Sequence, residues 1–307
     1  LGTQYGNRIL ALITYLYNYH FVASGRVNEF FQDIFAHHLS EGTIFNAQNT
    51  GFASLKFFEK VLKKNLMQAD VAYTDETGVR RDKKNCYLHV FSTSYSTHLA
   101  VHQKRGCQAM DEIGILPYFK GTLTHDHFRP YFRYGFDHAL CNAHHLRELQ
   151  GVKDTTGHSW PGKMQQLLRK IKKDKESQQL CYHSVKTYKK EYDNILSLGY
   201  KEQQIRSPPS RPKEICLLDR LKHYKRQTLL FMTKDNVAFD NNQRDIRMMK
   251  VKMKVSGCFR SAKGADAFCR IRSYISTIKK NGMAVFQSLV DVFKGLSPNF
   301  LASIQFS

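Results

Sequence analysis

An α/β fold is predicted by three observations. Between residues 70 and 150, short apolar, β-branched runs alternate with helical stretches. The first three of these runs follow one another closely, as antiparallel hairpins do. Two of the runs end in aspartate: Val71-Ala72-Tyr73-Thr74-Asp75 and Gly121-Thr122-Leu123-Thr124-His125-Asp126. Strands are expected at 71–75, 86–93, 97–102, 121–126 and 138–141. Helices are expected at 107–119, at 127–135 and from about Ala143. Three strands, helix, strand, helix, strand, helix is the order of an RNase H-like (ribonuclease H-type) core. In that fold the first and fourth strands are neighbours, so Asp75 and Asp126 would meet at one edge of the sheet. A carboxylate pair of that kind suits Mg²⁺, a hard cation that takes oxygen ligands and serves phosphate chemistry.

The flanking regions read differently. Residues 1–69 are helical in pattern. Residues 26–35 carry apolar side chains at helical spacing, and Ser40 is an N-cap for the next helix. That outline fits a helix-turn-helix, and it equally fits two packed helices. Residues 151–235 lose strand character and read as a Lys- and Gln-rich helical insertion, broken at Ser207-Pro208-Pro209-Ser210-Arg211-Pro212. Residues 236–290 hold Asp240-Asn241-Asn242, a helix-start signal, and a basic helix with Ile246, Met249 and Met253 on one face. A further helix runs from about Ala265 to Lys280 and is capped by Asn281-Gly282. The domain reading is therefore 1–69, 70–150, 151–235 and 236–290.

Charge narrows the function. Lys and Arg total 47 against 26 Asp and Glu, a formal net charge of +21 over 307 residues. An excess of that size points to a polyanion, nucleic acid before membrane. The most apolar stretch, residues 9–23, is interrupted by Asn18 and His20 and is too short to span a bilayer. Seven scattered cysteines without a C-x-x-C pair fit a reduced cytoplasmic compartment. The chain starts at Leu1, so a fragment is expected. Arg244, Arg247, Lys250, Lys252, Lys254, Arg260, Lys263, Arg270 and Arg272 form the densest basic region. Of these, Arg244, Arg247, Lys250, Lys254 and Arg260 are the DNA-phosphate candidates, and Arg26 and the helix opening at Ser40 are further candidates for DNA contact. Cys141 and His144 make one Cys-x-x-His pair, short of the four ligands of structural zinc. His138, Cys141, His144 and His145 are therefore assigned a structural or DNA-facing role. His125 and His127 either touch phosphate, orient the Asp126 carboxylate or pack. Phe128, Tyr131, Phe132, Tyr134 and Phe136 read mainly as core. Glu76 points away from Asp75 across the strand.

Several strings in order resemble a known family. They are Asp75-Glu76-Thr77-Gly78-Val79-Arg80, Leu88-His89-Val90, Lys104-Arg105-Gly106, His125-Asp126-His127 and residues 141–149 (Cys-Asn-Ala-His-His-Leu-Arg-Glu-Leu). Phe239-Asp240-Asn241-Asn242, residues 254–261 and residues 271–277 follow. From about Gln4 to Gly282 the chain resembles DDE transposases of bacterial insertion sequences, the group named insertion sequence sixty-six. The resemblance implies three carboxylates holding two Mg²⁺ ions, with Mn²⁺ as a substitute. It implies nicking at transposon ends and strand transfer into target DNA. It also implies self-association on DNA, accessory transposition proteins, a cytoplasmic, nucleoid-associated location and no membrane partner. Asp75 and Asp126 match the first two acids. The family's third acid is a Glu separated from the Asp-Asn-Asn string by two residues. Here the chain reads Asp240-Asn241-Asn242-Gln243-Arg244-Asp245, with two residues, including the Glu, missing. If the cap sets the register, Asp245 takes the place; if downstream packing does, Gln243 takes it. The two lie about 200° apart around a helix. Asp245 is the third candidate ligand. The alternative is a catalytically impaired, DNA-binding transposase relic, and a weaker one is a nuclease that cleaves without joining.

Overall fold

The computed structural model describes residues 5–204, 213–241 and 244–296, with backbone alone at 204 and 244–247. The expected break at 207–212, together with Asn242 and Gln243, lies outside the described residues. In chain order the elements begin with α1 (Asn7–Thr14), a π-helical turn (Tyr15–Tyr19), α2 (Ser24–Phe35), α3 (Glu41–Ser54) and α4 (Lys56–Met67). Then come β1 (Val71–Arg81), β2 (Lys84–Ser92), β3 (Thr97–His102), α5 (Cys107–Ile113), β4 (Thr122–His125), β5 (Asp137–Leu140) and α6 (Asn142–Thr156). The remaining helices are α7 (Trp160–Glu176), α8 (Tyr182–Gln204), α9 (Lys213–His223), α10 (Lys225–Thr228), α11 (Leu230–Thr233), α12 (Arg244–Val255), α13 (Ala262–Lys280) and α14 (Val285–Phe293). The strands form a mixed α/β sheet in the order β3-β2-β1-β4-β5. By contacts the chain falls into two units: Leu1–Gly121, Arg133–Phe136 and Gln243–Ser307 in one, Thr122–Phe132 and Asp137–Asn242 in the other.

In the first unit β1, β2 and β3 are an antiparallel meander. The β1–β2 turn is two residues, Asp82 and Lys83, both left-handed (φ 49° and 58°). Positive φ at both central residues matches the right-handed twist of the flanking strands. β1 does not stop at Asp75. It continues six residues to Arg81, because Glu76 and Val79 are buried and Asp75 through Arg81 pair in register with Val90 through Lys84. Asp75 is thus mid-strand, not at the strand end the sequence suggested.

Edge strand β3 would expose backbone N–H groups to other chains. Here α13 covers it: Leu99 N–H donates to Ser273 Oγ at 2.9 Å and Thr97 N–H to Thr277 Oγ1 at 3.2 Å. Ser261 caps the start of α13 by accepting the Gly264 N–H, and Gly282 (φ 71°) follows its end. Val79, Leu88, Val90, Leu99, Met249 and Phe268 form the core between sheet and helices, with Met253 packed against it. Each such buried side chain contributes about 1.5–3 kcal/mol of transfer free energy. α2 and α3 pack through Val27, Phe31, Ile44 and Ala47, and Ser40 Oγ accepts the Thr43 N–H at 3.0 Å. The helix expected over 107–119 is α5 alone, ended at left-handed Gly114 (φ 74°) and followed by a short 3₁₀ turn with Pro117.

In the second unit β4 and β5 pair in parallel, Thr122 opposite Asp137 and His125 opposite Leu140. α6 to α9 pack on one another, and α10 and α11 contact β5. The α-helix expected over 127–135 is a 3₁₀ turn, Arg129–Arg133. The physical reason is local. The Asp126 carboxylate accepts the Phe128 N–H at 2.9 Å and His127 is left-handed (φ 76°), so the chain turns there instead of starting a helix.

Candidate active site

Asp75 lies on β1 opposite Val90, partly buried, and its Oδ1 accepts the Glu76 N–H at 2.8 Å. The pleat sends Glu76 to the other face. Its fully buried carboxylate receives Arg105 Nε at 2.8 Å.

Asp126 follows the last residue of β4, and its turn is held by histidines. His125 has no exposed surface, and burial drives its pKa well below the ordinary value, so the ring is neutral. Its Nδ1 accepts the His127 N–H at 3.2 Å, which leaves Nε2–H to donate to His138 Nδ1 at 3.1 Å. His125 is therefore too buried for phosphate; it fixes the backbone beside Asp126. His127 packs edge-on against Tyr224, ring centroids 4.3 Å apart. Burial, then Arg220 and His223, lowers its pKa to about 4.

Two sequence strings nearly a hundred residues apart meet in this unit. The Cys141 N–H donates to the His125 carbonyl at 2.9 Å, which ties the start of α6 to the end of β4. The Asn142 N–H donates to the Phe239 carbonyl at 3.1 Å, and Asn142 Nδ2 to the Thr228 carbonyl at 3.0 Å. With Nδ2 so used, Asn142 Oδ1 accepts from His145 Nδ1 at 3.0 Å. Burial first, then Arg220, lowers the His145 pKa to about 3 and keeps it neutral. The Asn241 N–H donates to Cys141 Sγ at 3.1 Å. Lys175 on α7 completes the clamp. Its ammonium reaches the carbonyls of Phe231, Lys234, Asp235 and Val237 at 2.6–3.1 Å, which fixes the approach to Asp240. Cys141 and His145 thus act as structural pieces.

Sequence reasoning missed Glu148. On α6 it pairs with Arg220 of α9. Burial raises its pKa, Arg220 opposes that, and the Asp126 charge adds to the rise. Its signal was its place in the Cys-Asn-Ala-His string, one helical turn beyond His144. Among the described residues no group of three or more His, Cys, Asp or Glu is placed to share a metal ion. Asp245 is on α12 with its side chain undescribed.

The basic region divides. Lys250, Lys254 and Arg260 are exposed, and Arg260 Nη1 is 3.3 Å from Glu41. Arg244 and Arg247 are on α12, again without described side chains. Three other residues of the basic region are engaged within the fold. Arg270 donates to Glu59 and the Phe52 carbonyl, both at 2.8 Å. Arg272 is 4% exposed, bonded to the carbonyls of Asn18 and Tyr19. Lys252 is 2% exposed, its ammonium 3.9 Å from the Phe259 ring centroid and bonded to the Gly257 carbonyl at 2.8 Å. A solvated-face pattern in sequence fails here because aromatic rings and helix-end carbonyls take the cations.

Burial lowers the Lys252 pKa to about 8. Between that value and the unfolded value of about 10.5 the unfolded chain holds more protons, so stability rises with pH. Relative to Lys252→Met, the native chain is expected to gain up to about 3 kcal/mol between pH 8 and 10.5. Urea midpoints of both proteins across that window measure it. A constant gap would mean the ammonium is not desolvated.

The family model described as Transposase IS66 family matches residues 2–267. The chain belongs to that family, a class of transposase-type enzymes for which DNA is the partner. No curated protein matches it. Among the described residues no helix is long and apolar enough to cross a membrane.

Proposed function

We propose that this chain is a DNA transposase that nicks transposon ends and transfers them into target DNA through an RNase H-like core. The family match across both acids carries the reading. Asp75, Asp126 and, as third acid, Asp245 would hold divalent cations, Mg²⁺ with Mn²⁺ as a substitute. Hard carboxylate oxygens suit such ions, although the described residues gather no group of three. Bound there, the ion would polarise a phosphodiester oxygen and acidify water. The chain's own residues do the positioning. His125 and the Phe128 amide hold Asp126, and Asn142, Cys141 and Lys175 hold the segment up to Asn241. Lys250, Lys254 and Arg260, joined by Arg244 and Arg247, would neutralise backbone phosphates without reading sequence. Residues 1–69 would contact transposon-end DNA, 70–150 and 236–290 would build the core, and 151–235 would be the insertion. Self-association on DNA, accessory proteins and a cytoplasmic, nucleoid-associated location belong to the same reading.

A second reading is a DNA-binding relic with impaired catalysis. The missing Glu favours it. Mg²⁺-dependent nicking and strand transfer on the element's own ends separates the two. The chain is compared with a version carrying Ala-Glu between Gln243 and Arg244. Cutting by the native chain establishes the transposase reading and makes Asp245 the residue to replace next. Cutting by the repaired version alone establishes the relic.

A further inference from the structure

A cleft of about 390 Å³ lies wholly within the first unit, and Arg260, read above as a phosphate contact, lines it. That volume falls in the range of small-ligand pockets, about 300–1,000 Å³. Its walls come from the π-helical turn, the starts of α2 and α3, and the loop entering α13.

The lining is made of groups that lack something. α3 and α13 are capped by Ser40 and Ser261, but the N-cap residue of α2 is Ala23, which offers no side-chain cap, so its first-turn amides have no side-chain acceptor from that position. Arg260 is 82% exposed, and its pair with Glu41, itself 67% exposed, is a weak solvent-screened one. Gln48 lines the cleft and is 6% exposed; its Oε1 receives Asn18, while its Nε2 has no hydrogen-bond partner. A buried amide donor left unmade is costly. Phe45, on the same wall, is 45% exposed, with Lys263 Nζ 5.8 Å from its ring centroid. An open helix start beside an arginine calls for an anion. An exposed ring beside an unused amide calls for a flat heteroaromatic group with an acceptor atom.

We propose that this cleft binds one unstacked deoxynucleotide, its phosphate between Arg260 and the start of α2, its base on Phe45 with the Gln48 amide as donor. The shared chemistry is a nucleoside monophosphate unit, supplied by a DNA strand or by free nucleotide. Only the DNA-strand source rests on the transposase reading.

The test uses the full chain, a single-stranded oligonucleotide carrying one 2-aminopurine, free dAMP and duplex DNA as a control. The oligonucleotide's fluorescence is expected to change on binding. Phe45→Leu and Arg260→Ala, both at exposed positions, are each expected to weaken that binding about tenfold. Competition by dAMP identifies the free nucleotide as a source, and its absence with strand binding intact identifies DNA. If both variants bind the strand and dAMP as the native chain does, the cleft is overturned while duplex binding leaves the transposase reading standing. If the native chain binds no DNA but binds dAMP through Phe45, the cleft stands and the transposase reading falls.

Discussion

Asp126→Asn and Asp75→Asn are each expected to reduce metal-dependent DNA cleavage by about 10³-fold or more, with DNA affinity nearly unchanged. The amide keeps the size and the hydrogen bond of the carboxylate. In the first variant the new amide oxygen would still accept the Phe128 N–H, and in the second the Glu76 N–H, so the local backbone survives. What goes is the charge that would hold a divalent cation, worth several kcal/mol of transition-state stabilisation, which corresponds to about 10³ in rate. In the proposed reading, affinity for DNA would rest on cations elsewhere on the surface, and removing an acid would not weaken those contacts. Cleavage on a supercoiled substrate and binding by anisotropy are measured side by side. Native-like cleavage in either variant would remove that residue from the site, and lost binding in both would point to unfolding instead.

Asp75 and Asp126 stood out in the sequence because each follows a β-branched run, a local signal. The β1 boundary was misplaced for an equally local reason. Glu76-Thr77-Gly78 looks like a polar turn, but Glu76 is buried against Arg105, a partner 29 residues away that no window of sequence reveals. Helix caps at Ser40 and Gly282 were legible because capping is a matter of neighbouring residues. The fates of Lys252, Arg270 and Arg272 were not, since a carbonyl or an aromatic ring from another element decides whether a cation faces water. The role of Cys141 was hidden in the same way: Asn241, which donates to it, lies a hundred residues on.

The helices α7 to α9 yield the other large effect. Trp160→Ala is expected to lower the melting temperature by about 10 °C or more and to abolish cleavage without touching an acid. Trp160, the chain's one tryptophan, has no exposed surface. Its indole N–H donates to Glu214, a carboxylate only 3% exposed that also takes His158 Nδ1 at 2.8 Å and Gln203 Nε2. α8 lies so close that a Cβ on Gly199 would stand 3.0 Å from the indole ring and 2.6 Å from Leu218. Deleting the indole leaves a cavity, about 3–5 kcal/mol. It also strips a donor from a buried carboxylate, about 1–3 kcal/mol more. That sum rivals the whole stability of a typical domain, about 5–15 kcal/mol. α9 would lose its anchor, and the segment that α10 and α11 carry toward Asn241 would no longer be held against Asn142 and Cys141. Trp160→Phe keeps most of the bulk and should fall between the two proteins. Far-UV melting and limited proteolysis report the loss, and native unfolding followed by the lone indole's fluorescence reports this unit alone. A Trp160→Ala protein that melts with the native one would show that α7 to α9 are not built around this residue.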